Sequence, residues 1–264
     1  MEFRTIVDIP KPGFEIQACE ELLFVGSCFA DSIGQRFRDE GFPVTVNPYG
    51  TMYNPASILH TIERCQVSPQ TVFLTLGTNH VYRLKETGEI VDNCQKRPAS
   101  LFQEEKLTVD ECAAWLGQAV DILRQRNPQV HVVLTVSPIR YRKYGYHESM
   151  LSKATLLLAA DRLKAQQVAY FPAYEIFMDE LRDYRFYAPD MLHPSAQAVD
   201  YIWERLIEAY FSSEAKTYLK EWQPLKLALA HQPFNPDSKE YRELMDKTML
   251  KIAELRKKYT TFAL

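Results

Sequence analysis

The chain has 264 residues, of which 46% are hydrophobic and 25% are charged, with a formal net charge of -3 and a pI near 6.1. This balance predicts one full-sized core and excludes a basic surface for nucleic acid, and no apolar run reaches the roughly 18 residues of a membrane-spanning helix. Acids and a proline lie near the N-terminus, where a secretion signal would be apolar, and this pattern predicts a cytoplasmic protein. The five scattered cysteines predict reduced thiols and no metal site, and we expect no cofactor.

Strands and helices alternate along the first 212 residues. Strands are predicted over residues 21–25, 44–46, 71–76, 130–138 and 168–172. Helices are predicted to begin near residue 29 and to cover 53–65, 108–126, 150–167 and 195–211, while 81–102 forms a hairpin or long loop at the edge. Because the strongest strands are continuously apolar, we expect an α/β fold with a parallel sheet covered by helices on both faces.

The flavodoxin-like strand order 2-1-3-4-5 is one arrangement that fits this pattern. Ligands of such sheets bind beyond the carboxyl ends of the strands, near the point where the strand order reverses. In this order the loop after the first strand would face Asn79, which follows the third strand. We therefore look for chemistry in the loops that leave the strands.

The first strand runs directly into Gly26, Ser27 and Cys28, and an apolar helical pattern follows. Such a strand-to-helix turn places a nucleophile at a helix N-terminus, where the helix dipole favours an anion and free N–H groups can hold an oxyanion. A nearby imidazole together with this dipole would lower the pKa of a thiol there. The alternative is that a buried strand ends in these residues by chance. If the turn does carry a nucleophile, both Ser27 and Cys28 are candidates.

A carboxylate and an imidazole, Asp190 and His193, lie three residues apart on the loop before the last helix of the domain. A base that takes a proton from a nucleophile needs a carboxylate to hold its tautomer, and this pair could fill both roles. The alternative is a local cap at the start of the helix.

Other strand-end loops carry polar and aromatic residues that could bind substrate. We select the residues that follow the predicted strands or precede the Asp–His pair: Asn47, Tyr49, His80, His147 and Tyr187. For His147 an exposed loop position is the competing interpretation, and Lys153 is equally well explained as a surface residue of its helix.

Beyond residue 212 the composition becomes charged and helix-prone. We divide the chain into a domain of residues 1–212 and a helical extension of residues 213–264. The extension either packs back on the domain or forms a contact in an oligomer.

The residues after the first strand resemble a known family. Gly26-Ser27-Cys28-Phe29-Ala30 is similar to the motif that names the GSCFA family, which is placed with the SGNH (GDSL-like) hydrolases. Further similar segments are residues 47–55, 75–78, 93–98, 151–153 and 183–195. The resemblance implies a three-layer, flavodoxin-like SGNH hydrolase fold.

The resemblance also implies roles for individual residues. It places the nucleophile on Cys28, or on Ser27 if the turn is shifted by one residue, and the base on His193 with Asp190. Gly50 and Asn79 would supply oxyanion donors. The implied activity is hydrolysis of a small O-acyl ester, with an acyl-carbohydrate as one substrate type and acyl transfer as a variant; the competing hypothesis is a catalytically silent glycan- or nucleotide-binding module on the same fold.

Overall fold

The structure is a computed structural model that describes residues 4–94 and 97–263. Within the segment 93–98, Gln95 and Lys96 lie outside the described residues.

Eight strands and eight α-helices make up the described chain. The strands are β1 (Leu22–Gly26), β2 (Val44–Val46), β3 (Thr71–Leu76), β4 (His80–Leu84), β5 (Ile90–Val91), β6 (Phe102–Lys106), β7 (His131–Val136) and β8 (Ala169–Tyr170). The helices are α1 (Cys28–Asp39), α2 (Pro55–Arg64), α3 (Val109–Arg126), α4 (Tyr146–Arg162), α5 (Ala173–Glu175), α6 (Ala196–Tyr210), α7 (Ser213–Ala230) and α8 (Lys239–Lys258).

The main sheet has five parallel strands in the order β2-β1-β3-β7-β8. Counted along the chain, these strands have the predicted order 2-1-3-4-5, so the flavodoxin-like arrangement is confirmed. Gly26 pairs with Thr75, and Leu76 pairs with Val136, so the carboxyl ends of the three central strands lie side by side. The predicted edge hairpin is a second, three-stranded antiparallel sheet in the order β5-β4-β6.

Alternate strand residues pack into two hydrophobic layers. Phe24 and Phe73 point into the layer that contains α1 and α6, whereas Leu23 and Leu74 point into the layer that contains α2, α3 and α4. Successive side chains of a strand point to opposite faces, which explains why uninterrupted apolar strands require helices on both sides. The three-layer α/β fold is confirmed.

Two helical segments differ from the sequence prediction. α4 begins at Tyr146, before the predicted residue 150, because Gly145 with φ +77° reverses the chain immediately before it. The prediction missed α5 and the π-helical turn Ile176–Glu180 after β8. These turns are too short to show the helical periodicity on which the prediction depended.

The C-terminal helices pack against the end of α1. Tyr218 donates its hydroxyl to the carbonyl of Glu40, and the Trp222 indole donates to the carbonyl of Asp39 at 3.1 Å. Lys226 forms an ion pair with Glu40 at 2.7 Å. Packing on the domain is therefore observed, while an oligomer contact through the exposed faces of these helices stays a prediction. None of the helices in the described ranges has both the length and the apolarity to cross a membrane.

The substitution Trp222→Ala tests the packing of α7 on the domain. Because Trp222 is only 4% exposed, its removal should lower the free energy of unfolding by about 3–5 kcal/mol, measured by urea denaturation. Leu227→Ala on the same helix, at a residue 62% exposed, should change it by less than about 0.5 kcal/mol. Equal, small effects at both positions would show that α7 does not pack on α1 in solution.

Candidate active site

The turn between β1 and α1 depends on a residue without a side chain. Gly26 has φ +144°, and a Cβ atom built on it would lie 2.1 Å from the carbonyl oxygen of Thr75 in the neighbouring strand. Only glycine allows both this dihedral angle and this close approach. Cys28 is consequently the first residue of α1, with Ser27 as its N-cap.

The Ser27 hydroxyl is buried and already bonded. Its Oγ lies 2.5 Å from Oγ of Ser137 and 3.2 Å from Oγ1 of Thr75, and it accepts from the backbone N–H of Phe29 at 3.2 Å. The residue is 0% exposed. These contacts join the ends of β1, β3 and β7 to the first turn of α1, so the Ser27 hydroxyl has a structural role.

The Cys28 side chain is half-buried at the N-terminus of α1. Burial raises the pKa of its thiol to about 11; its own backbone N–H and the Lys153 ammonium lower this pKa, while Asp31 and Asp190 raise it. The expected depressed pKa is therefore wrong for the resting protein, because the cost of burying a thiolate exceeds the help from the helix end and the lysine. At neutral pH the thiol is protonated and needs a base to react.

Asp190 and His193 form the predicted pair. Nδ1 of His193 lies 2.6 Å from Oδ2 of Asp190, while Oδ1 of Asp190 accepts from the backbone N–H groups of Leu192 and His193 at 2.9 and 3.0 Å. These bonds hold the pKa of the Asp190 carboxyl well below its usual range. The bond at Nδ1 leaves Nε2 of the ring as the free nitrogen, and both side chains are 45% exposed. The pair is preorganised and accessible.

Lys153 lies in the same region and is fully buried. Its ammonium donates to the carbonyls of Gly77 and Ser137, at 2.7 and 2.8 Å, where β3 and β7 end. Burial lowers its pKa to about 7, and the nearby Cys28 opposes this shift. No carboxylate pairs with it in the described ranges. A buried cation thus lies within electrostatic range of the candidate nucleophile.

Two tyrosines also interact electrostatically with Cys28. Tyr53 and Tyr141 both have a raised pKa, mainly through burial and secondarily through Cys28. The Tyr141 hydroxyl is buried without a hydrogen-bond partner, and a Cβ atom on Gly77 would lie 2.4 Å from it. The missing side chain of Gly77 therefore makes room for an unpaired hydroxyl beside the site.

The two predicted oxyanion donors are engaged elsewhere. The Gly50 N–H donates to the carbonyl of Asn47 at 2.9 Å, closing a turn, so it does not point at the thiol. The Asn79 amide nitrogen donates to the carbonyl of Leu107 at 2.7 Å, and its oxygen is buried without a partner. Neither contact supports the predicted role, which stays a prediction. The Gly50 bond is local to its turn, whereas the Asn79 bond is made to a residue that follows a distant strand.

Asn47 is a scaffold residue. Its side-chain oxygen accepts from the N–H of Gly26 at 2.8 Å, and its nitrogen donates to Asp31 at 2.8 Å. Asn47 therefore holds the turn between β1 and α1 against the end of the second strand.

The other predicted binding residues are dispersed. Tyr49 donates to the carbonyl of Arg64 at the end of α2, away from the Asp–His pair. His147 is exposed, as the competing interpretation expected, but it lies in the first turn of α4 and not on a loop. His80 and Tyr187 do line cavities, although not the same one.

Two cavities border this region. The first, of about 330 Å³, has Tyr187, Lys153 and Arg140 among its lining residues, and the backbone of Arg140 bonds to Leu192 beside His193. The second, of about 320 Å³, is lined in part by Tyr53, Tyr141 and His80. His80 is buried, bonds to Glu104 through Nδ1 at 2.8 Å, and leaves Nε2 without a partner. Both cavities thus share a wall with residues that interact with Cys28.

The interpretation of Lys153 as a surface residue is wrong, since the residue is only 2% exposed, and the sequence prediction did not select Tyr141. Lys153 belongs to the buried stripe of α4 together with Ser149, Leu156 and Ala160, and this spacing was a readable signal that the lysine faces inward. Tyr141 follows β7 in a loop without periodicity, and nothing local marks it. In the described part of the chain, no three His, Cys, Asp or Glu side chains are grouped so that they could hold a metal ion.

The parallel sheet, the turn at Cys28 and the Asp–His loop define a protein of the SGNH hydrolase fold class. Family models agree with this assignment. The model described as "GSCFA family" matches residues 21–70 and 66–206, and that described as "GSCFA domain protein, C-terminal domain" matches residues 222–264. The chain belongs to the GSCFA family.

Solved structures share the fold. An α/β hydrolase from the metagenome of Lake Arreo, Spain, is 14% identical, with a TM-score of 0.51 over 75% of this chain and 97% of its own. A catalytic mutant of an acetylxylan esterase from Geobacillus stearothermophilus is 15% identical, with a TM-score of 0.50 over 75% of this chain and 98% of its own. No curated protein matches the chain.

The glycine at the nucleophile turn can be tested by Gly26→Ala. We expect this change to lower the free energy of unfolding by more than about 3 kcal/mol, because a strained dihedral angle costs about 1–3 kcal/mol and the clash with Thr75 adds to it. Gly50→Ala is the matched control: it has φ +94° but open space around the added Cβ, so only the dihedral strain remains. Equal losses in urea denaturation would show that the contact with Thr75 is unimportant.

The buried lysine predicts a pH-dependent stability. Because the pKa of Lys153 is lowered from 10.5 to about 7, the unfolded chain binds more protons between these values, and stability from this residue rises with pH across that window. The unfolding free energy of the wild type minus that of Lys153→Met should increase by roughly 3–4 kcal/mol from pH 7 to pH 10. Lys220→Met, an exposed control, should show no such trend. A flat difference for Lys153→Met would mean that Lys153 is solvated.

Proposed function

We propose that this protein is an acyl hydrolase in which Cys28 attacks a small O-acyl ester, His193 acts as general base, and Asp190 orients the imidazole. The observation that carries the proposal is the position of Cys28 as first residue of α1, in electrostatic range of the Asp190 carboxylate that holds His193. The fold shared with an acetylxylan esterase agrees with an ester substrate.

The contacts of the two candidate nucleophiles favour the thiol. The Ser27 hydroxyl is buried, with three polar partners, whereas the Cys28 side chain is half-buried and reachable. Its raised pKa means that the proton is removed during attack, as in serine hydrolases, and is not lost beforehand. The mechanism therefore depends on His193 at neutral pH.

The reaction proceeds in two steps. The sulfur of Cys28 forms a bond to the ester carbonyl carbon while His193 takes the thiol proton and then delivers it to the departing alcohol. Water, activated by the same imidazole, hydrolyses the resulting thioester and releases the acid and the free thiol. An alcohol in place of this water would give acyl transfer instead.

The oxyanion requires donors other than Gly50 and Asn79. The backbone N–H of Cys28 lies at the positive end of α1, where a developing negative charge is stabilised. The unpaired hydroxyl of Tyr141 is the second donor that we assign to this role. Lys153, a cation near the thiol, stabilises the same charge at longer range.

The nucleophile and the base can be separated by substitution, with hydrolysis of 4-nitrophenyl acetate as the measurement. Cys28→Ala and His193→Ala should each lower kcat/KM by at least about 100-fold, and Asp190→Asn by a similar factor. Ser27→Ala should retain activity that Cys28→Ala loses, and it should lower the free energy of unfolding by about 1–3 kcal/mol, because it removes a helix cap and leaves the buried hydroxyls of Thr75 and Ser137 without this partner. Cys65→Ala, a buried thiol in the opposite hydrophobic layer, is the control and should retain activity.

The outcomes distinguish the hypotheses. Activity that survives Cys28→Ala and disappears in Ser27→Ala would move the nucleophile to Ser27. A wild-type protein that hydrolyses no ester would overturn the proposal in favour of a binding module.

The rate of alkylation of Cys28 by iodoacetamide should increase through pH 9 without a plateau, because the pKa of its thiol is about 11. A plateau near pH 7 would contradict the protonated resting state of the thiol.

A further inference from the structure

We propose that the cavity beside Tyr187 accepts an acyl chain that ends in a carboxylate, so that the preferred substrates are half-esters of short dicarboxylic acids. This inference rests on the proposed hydrolase function and names the substrate class of the same site.

The cavity has the size and walls of an acyl pocket. Its volume of about 330 Å³ lies at the lower end of the range for small-molecule sites, roughly 300–1,000 Å³. Apolar side chains form much of its wall, among them Ile139, Phe177 and Leu181. A short chain of methylene groups would be desolvated here.

Two arginines and the amine of Lys153 line this largely apolar cavity at different depths. Lys153 is buried, Arg140 is half-buried, and Arg182 is exposed at the surface. The guanidinium of Arg140 is held between two aromatic rings, 4.3 Å from the ring centre of Tyr146 and 5.0 Å from that of Tyr187. Arg140 is thus fixed in place without a carboxylate.

Among the described residues, no carboxylate near the cavity is paired with a cation that lines it. Asp183 is the one carboxylate among the described lining residues, and it bonds to Arg185 at 2.9 Å. Asp190 is bonded to His193. No ion pair joins Lys153, Arg140 or Arg182 to a carboxylate within the described ranges. Arg140 and Arg182 therefore bring positive charge to the cavity wall without an ion-pair partner, and the carboxylates of Glu175 and Asp179 act on the lining residue Tyr174 from outside the lining.

An anionic chain end would supply the missing charge. Attraction between opposite charges is much stronger in a partly dry cavity than in water, and a guanidinium forks onto a carboxylate with two bonds. Lys153 lines the cavity and interacts electrostatically with Cys28, and the backbone of Arg140 bonds to Leu192 beside His193, so the cavity adjoins the proposed nucleophile and base. A neutral chain of equal length gains the apolar contact but not the ion pair.

A matched pair of esters tests this inference. Mono-4-nitrophenyl adipate and 4-nitrophenyl hexanoate have acyl chains of equal length and differ in a terminal carboxylate. We expect kcat/KM of the wild type to be about tenfold or more higher for the adipate ester, which corresponds to one effective ion pair. The preference should decrease with added salt, because screening weakens the exposed part of the interaction.

Arginine substitutions localise the preference. Arg140→Gln and Arg182→Gln should each lower the adipate-to-hexanoate ratio by about three- to tenfold, and Arg140→Lys should retain more of it than Arg140→Gln. Arg142→Gln is the matched control, since this exposed arginine is two residues from Arg140 but does not line the cavity. Its ratio should equal that of the wild type.

Binding measured without turnover separates the two proposals. Monomethyl adipate and methyl hexanoate would be titrated calorimetrically into the Cys28→Ala protein, and the adipate ester should bind about tenfold more tightly. Tighter binding of adipate without ester cleavage by the wild type would sink the hydrolase proposal and keep the anion site. Cleavage of both esters with equal efficiency, unchanged in the Arg140 and Arg182 variants, would overturn the anion site and leave the hydrolase proposal standing.

Discussion

The hydrogen bonds of the buried Ser27 hydroxyl determine where the site forms. Ser27 is bonded to Thr75 at the end of β3 and to Ser137 just after β7, while Gly26 lets the two neighbouring backbones approach. Three strand ends and the first turn of α1 are thereby held at one edge of the sheet. Cys28 is the next residue along the chain, so its position follows from contacts made by the residue before it.

This arrangement keeps charge low around the thiol until a substrate arrives. Burial keeps Cys28 protonated and brings the pKa of Lys153 to about 7, so neither group is held firmly in its charged form at neutral pH. The ionised partner is Asp190, whose carboxylate is stabilised by backbone N–H groups of its own loop. The proposed mechanism depends on this difference. The Asp190–His193 loop supplies the base, while Lys153 and the arginines interact with the negative charge of the oxyanion or of the substrate carboxylate.

The candidate site was predictable where it depends on neighbours along the chain. The cap at Ser27 and the Asp190–His193 bond both join residues at most three positions apart. Contacts of this kind can be predicted from the neighbouring residues alone. The hydrogen-bond partners of Gly50 and Asn79 were not predicted, because they follow from how loops fold back on themselves and on distant strands. Lys153 lies between these two cases. Its helical spacing indicates the buried face of α4, but the carbonyls that accept its hydrogen bonds follow β3 and β7 and could not be predicted locally.

The five parallel strands and most of the helices between them were predictable from the sequence alone, because hydrophobic periodicity is a local property. The sequence also predicted that chemistry would lie at the carboxyl ends of the strands. Three features required the folded structure: which charged groups act on Cys28, the raised pKa of its thiol, and the presence of two arginines without ion-pair partners in the lining of one cavity. Burial and electrostatic fields sum over residues far apart in the chain, and no local pattern records that sum.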